Sequence, residues 1–146
     1  MLNKKIIEYI ERVNLVDEYK RLSAKYRAPS KELMKRIDIQ EVQNIISNLG
    51  YGSKYFKREQ FFKVIIDKDD EMEIGYNISL KYGLVEFILC IMEDGKCIEG
   101  SPICAIIREY TGEERLVKDP GFSNYTELED ILQYMFEILS KFKEEK

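Results

Sequence analysis

Near residue 61 the spacing of apolar side chains changes from about 3.6 residues to about 2, and this switch constrains the fold more than any other feature. Before it, Leu2, Ile6, Ile10, Val13 and Val16 recur at helical spacing among Lys, Glu and Arg, which predicts a helix over residues 2–24. Ala28-Pro29-Ser30 breaks that pattern, and Ser30 opens a short turn. Asp38 and Glu41 then form a D-x-x-E capping signal for a second main helix. Its apolar stripe is Val42, Ile45, Ile46 and Leu49, and Gly50 is the natural stop.

After the switch, "FFKVIID" reads as a strand and "DKDD" as turn material. In "EMEIGYNISLKY", Met72, Ile74, Tyr76, Ile78, Leu80 and Tyr82 share one face, while Glu71, Glu73, Asn77, Ser79 and Lys81 take the other. Gly83 turns the chain into "LVEFILCIM", a central strand interrupted by Glu86. Asp94-Gly95 is a hairpin signal, and "KCIEGSPICAIIREY" reads as the returning strand, with Gly100 and Pro102 marking a bulge or an edge. A short strand at Leu116-Val117 would lie in the loop that follows. Thr126 and Glu129 cap a final helix on Leu128, Ile131, Leu132, Met135, Ile138, Leu139 and Phe142, running to the end of the chain. Residues 1–146 therefore read as one α+β domain. It has N-terminal helices, an antiparallel meander of about four strands and a C-terminal helix packed on the sheet.

The chain contains no histidine, which removes every mechanism that needs an imidazole from within it. Its three cysteines, Cys90, Cys97 and Cys104, stand seven residues apart. With a two-residue turn at Asp94-Gly95, Met92 faces Cys97 and Cys90 faces Glu99. Cys90 and Cys97 are then diagonal neighbours roughly 7–8 Å apart, too far for a disulfide. A zinc site wants four converging ligands, so the thiols read as small buried hydrophobes. "DKDDEME" resembles the start of a calcium loop, but its sixth position is Met72 and its twelfth is Ile78. Glu86 reads as a strand carboxylate paired with Arg108, and no catalytic residue, metal or cofactor is expected.

In "GYGSKYFKREQFF" lysines alternate with aromatics, a pattern that can bind single strands. The Walker spacing is absent and the segment precedes a strand. The aromatics are expected to anchor the crossing from helix to sheet while the lysines stay in water, and a nucleic-acid partner is not expected. Interrupting charges leave no membrane span and no signal peptide near the start. The odd cysteine count adds to the expectation of a reduced, cytoplasmic protein.

Charge is unevenly spread. Residues 1–68 hold 15 basic and 9 acidic side chains, whereas residues 69–146 hold 8 and 18. The acidic excess gathers in predicted turns and the strand residues beside them: Asp69, Asp70, Glu71 and Glu73, Glu93 and Asp94, and Glu113 and Glu114. Alternate turns of a meander share an end, so the first two groups should meet there and suit a basic protein partner.

The short acidic format, the helix–meander–helix order and the ending "GFSNYTELEDILQYMFEILSKF" resemble small bacterial immunity proteins of polymorphic toxin systems. The Lys-, Ile- and Glu-rich composition agrees with a bacterial source. That resemblance implies a non-enzymatic protein that docks on a cognate basic toxin and neutralises it. The alternative is a small regulatory or ligand-sensing domain, whose mark is a cavity between sheet and helices with a few convergent polar groups.

Overall fold

The computed structural model describes residues 2–143. Three helices come first: α1 (Lys4–Val13), α2 (Leu15–Lys25) and α3 (Ile39–Asn48). The strands are β1 (Lys54–Phe56), β2 (Phe61–Lys68), β3 (Met72–Ser79), β4 (Glu86–Glu93) and β5 (Lys96–Pro102). Helices α4 (Ile103–Thr111) and α5 (Tyr125–Leu139) complete the order. The strands pair antiparallel in sequence order, so the fold is an α+β meander with five strands rather than four. The added strand, β1, comes from the aromatic-basic segment and pairs Phe56 with Phe61.

Period-two alternation produces two unlike sheet faces. Phe62, Val64, Ile74, Tyr76, Ile78, Phe87, Leu89 and Ile91 are buried beneath the helices. Each such side chain stabilises the fold by about 1.5–3 kcal/mol. The opposite face carries Lys63, Ile65, Glu73, Ile88, Cys90, Met92 and Cys97, all half-buried or exposed. β2 bulges between Ile65 and Asp67, opposite Gly75. A Cβ on Gly75 would lie 2.3 Å from the Val64 carbonyl oxygen, so only glycine fits that close approach.

Helix α5 is the keystone of the covered face. Its Leu128, Ile131, Leu132, Met135, Phe136 and Leu139 are buried, and the Phe136 ring stacks on Tyr76 at 6.3 Å. The Tyr76 hydroxyl donates to the Met135 carbonyl, Tyr9 donates to that of Ile138, and Arg12 donates to those of Lys141 and Phe142. These bonds join α5 to both the sheet and α1.

Several expectations are corrected. The predicted helix over 2–24 is two helices, because Asn14 adopts a left-handed conformation (φ 57°) that starts α2 on a new axis. Strand β5 stops at Pro102, and Ile103, Ile106 and Ile107 then bury the inner face of α4. No strand forms at Leu116-Val117; the nearby pairing is a single bridge between Leu84 and Gly121. The cap of α5 is Asn124, whose side chain accepts from the Glu127 N–H, while Glu127 accepts from Ser123; Thr126 and Glu129 do not form it. That helix ends at Leu139, with Phe142 buried in the turn beyond it. The final three residues of the helix predicted to run to the end lie outside the described residues.

Candidate functional site

Two turns meet at one end of the sheet. In the turn between β2 and β3, the Asp69 carboxylate accepts from the N–H groups of Glu71 and Met72, each at 2.8 Å. The Asp94-Gly95 turn has φ of 52° and 78°, the left-handed pair that a two-residue hairpin requires. The Asp94 N–H donates to the Glu71 carbonyl at 2.7 Å, tying one turn to the other. The expected juxtaposition of Asp69, Asp70 and Glu71 with Glu93 and Asp94 is therefore present.

Charge pairing divides these carboxylates into two sets. Lys143 binds Asp69, and that contact, with the two backbone donors, lowers the Asp69 pKa to about 2. Lys5 binds Glu93, which raises the pKa of the ammonium. Glu73, on the open sheet face, lies 3.5 Å from Lys63 and 3.6 Å from Lys68. Asp70, Glu71 and Asp94 are exposed and form no ion pair within 4 Å among the described residues, although the Lys5 charge also acts on Glu71 and Asp94. Glu113 and Glu114 do not join the rim. They border a depression over α2, where Glu113 lies 3.5 Å from Lys20.

The cysteines do not converge either. Met92 faces Cys97 as expected, but β5 has an irregularity between the Met92 and Ile91 pairings, so Cys90 faces Gly100 and Glu99 faces Ile91. Cys104 lies on α4, not on the strand, and Cys97 is exposed rather than buried as expected. Burial raises the thiol pKa of Cys90 and Cys104, which disfavours the nucleophilic thiolate. Among the described residues no group of three or more His, Cys, Asp or Glu side chains could hold a metal ion. Glu86 makes no ion pair with Arg108 among the described residues. Instead it adds a negative charge near Asp119, whose pKa is raised first by burial and then by Glu86, although Tyr19 donates to it at 2.7 Å.

In the aromatic-basic segment the Tyr51 and Tyr55 rings pack inward and the lysines stay in water. Tyr51 meets Phe136 edge-on at 5.3 Å and Tyr55 meets Phe62 at 4.7 Å, while Lys54 and Lys57 are exposed. No helix among the described residues is long and apolar enough to cross a membrane.

A second feature, missed in the sequence, occupies the opposite end of the sheet. Gln60 is the last residue of the β1–β2 turn and Tyr82 sits between β3 and β4; both have positive φ, 62° and 61°. They border a cleft of about 320 Å³ floored by Ile37, Phe62 and Leu80, with Lys35 and Lys81 also lining it. The sequence alternation assigns Tyr82 to the buried face, yet it is 73% exposed because β3 ends at Ser79. The "KYG" before Leu84 is the available signal of that turn.

No protein-family model, curated protein or solved structure matches the chain.

Proposed function

We propose that this chain is a non-enzymatic binding protein that neutralises a cognate bacterial toxin by docking on it, a role that goes with a cytoplasmic location. The observation that carries the reading is the paired-turn rim. The Asp94–Glu71 backbone bond holds Asp70, Glu71 and Asp94 together without ion-pair partners among the described residues. Three carboxylates on ordered turns attract a basic surface and lose little conformational freedom when it arrives. Asp69, Glu73 and Glu93, already paired with lysines, form the surround.

Charge alone gives steering more than affinity, and a stable interface also needs an apolar centre. Met92 and Cys97 lie beside the rim on the open sheet face, with Ile65 further along it. A partner seated across the rim and this face would combine the two contributions.

The test is capture of a partner by tagged protein from lysate and secreted fractions of the source cells, at low and moderate salt. Mass spectrometry should identify one basic, toxin-like protein that survives moderate salt. The triple substitution Asp70→Lys, Glu71→Lys, Asp94→Lys should abolish its capture. Under conditions in which the toxin is expressed, capture of no specific partner, or equal capture by the triple variant, would sink this reading.

A further inference from the structure

The cleft at the Tyr82 end combines conformational strain with an unusual pairing of chemistry. Among the described residues, four non-glycines have positive φ: Asn14, Gln60, Tyr82 and Asp94. Asn and Asp tolerate the left-handed region because their short side chains bond locally. Gln and Tyr have no such relief, and those two residues both line the cleft. Strained residues of this kind persist where their surroundings over-determine them, and they concentrate at ligand clamps.

The surroundings of Tyr82 do over-determine it. Gly83 follows with φ 79°, and a Cβ there would lie 2.6 Å from the Leu33 Cβ. The Gly83 carbonyl accepts from the Phe122 N–H, and the Phe122 carbonyl accepts from the Met34 N–H, at 2.9 and 2.8 Å. The Leu84 N–H reaches back to the Lys81 carbonyl at 3.1 Å. The backbone is thus clamped on the C-terminal side of Tyr82, while its ring faces solvent.

The lining specifies a ligand class. Phe62 and Leu80 form an apolar floor, and Ile39, exposed to 38%, continues it outward. Lys81 and Lys35, whose ammonium also donates to the Ser30 carbonyl at 2.7 Å, supply positive charge at the edge, and the Gln60 amide supplies a neutral donor. Asp38, between the two lining isoleucines, caps α3 through the N–H groups of Gln40 and Glu41. Its negative charge and its occupation of that helix end disfavour a doubly charged phosphate. The volume is near the lower limit for ligand pockets and suits one ring with a short chain.

We infer that this cleft binds a small aromatic monocarboxylate, with Lys35 and Lys81 holding the carboxylate and the Ile37–Phe62–Leu80 floor and Tyr82 taking the ring. The site lies at the other end of the sheet from the acidic rim, so it stands independently of toxin docking.

The experiment is an NMR titration of the full chain with 3-phenylpropanoate and with its neutral amide. The acid should saturate with a Kd below about 1 mM and shift resonances at 35–39, 60–62 and 80–82. The amide should bind at least about tenfold more weakly, because it offers no charge to either lysine. Lys81→Gln should weaken the acid by a similar factor and leave the amide unchanged. Tyr82→Asn should weaken both ligands while raising Tm, since it removes a ring contact and relieves the backbone. Absence of saturable shifts with the acid would overturn the proposal, as would equal affinity for acid and amide. A protein that occupied the cleft instead would give shifts at these positions with a captured partner and none with the acid, which would overturn it equally. Capture through Asp70, Glu71 and Asp94 should be unchanged in Lys81→Gln, which separates failure here from failure of the docking reading.

Discussion

The two ends of the sheet solve the same geometric problem with different residues. At the acidic end, the left-handed positions are Asp94 and Gly95, residue types suited to them, and Asp69 satisfies its own turn. At the other end the left-handed positions fall on Gln60 and Tyr82, and only Gly83 is suited to its place. One end is relaxed and charged; the other is strained and holds a cleft. A relaxed, charged rim suits a broad partner surface, whereas a strained cleft suits a small ligand. A sheet can therefore keep its two loop sets for different tasks.

The contrast is broken or sharpened most strongly by comparing two glycines with nearly equal φ. Gly83 (79°) is hemmed in by Leu33 and Met34, while Gly95 (78°) has nothing within 4 Å of a notional Cβ. Gly83→Ala should cost about 3 kcal/mol, from left-handed strain plus the clash, and Gly95→Ala about 1 kcal/mol from strain alone. Chemical denaturation measures both, and equal losses would mean that packing at the cleft end matters less than its geometry suggests.

Relief of strain comes next. Tyr82→Asn should gain about 1 kcal/mol, because asparagine tolerates the left-handed region and the exposed ring gives up little packing. A loss of stability would show that the ring contributes more to the fold than its exposure implies.

Acid titration probes the relaxed end. Asp69 is held near 2, first by Lys143, below its usual ~3.9 in an unfolded chain. A depressed carboxyl stabilises the fold above the unfolded pKa and stops doing so as pH falls through the folded one. Stability from this group should thus be complete above about pH 5 and fade toward about pH 2. Following Tm across that window, Asp69→Asn should flatten this part of the profile, and an unchanged slope would remove Asp69 as its source.

The smallest effect on stability belongs to Asp70→Lys, Glu71→Lys, Asp94→Lys, within about 0.5 kcal/mol per site by thermal unfolding. A larger loss would show that the exposed carboxylates hold the turns, and lost capture could then reflect misfolding.

Much of this is legible in the sequence because strong local signals agree with tertiary packing. The Asp38 cap, the Asp94-Gly95 turn, the alternation from Met72 to Leu80 and the α5 stripe each require a single structure. Failures come where one pattern admits two readings. Ile103, Ile106 and Ile107 are spaced for a helix, but they adjoin a real strand and read as its continuation; Pro102 before them and Gly112 after them mark the helix ends. Asn14 gives no glycine or proline signal, although Asp17 and Glu18 suit the first turn of a new helix. At the site, the shared end of Asp69–Glu71 and Asp94 follows from meander topology alone. Which carboxylates are claimed by Lys5, Lys63, Lys68 and Lys143 does not, because three of those lysines lie at least ten residues from the carboxylates they meet and only Lys68 is a near neighbour.

The margins of the sheet have one more consequence. β1 spans three residues and carries the exposed Lys54, while β5 combines an irregular register with Gly100 and a terminal Pro102 that has no N–H to donate. Short, charged or kinked borders are poor templates for an incoming strand. A meander with one face uncovered would otherwise invite edge-to-edge stacking and fibril growth. Borders of this kind disfavour that route to self-association even with one sheet face uncovered.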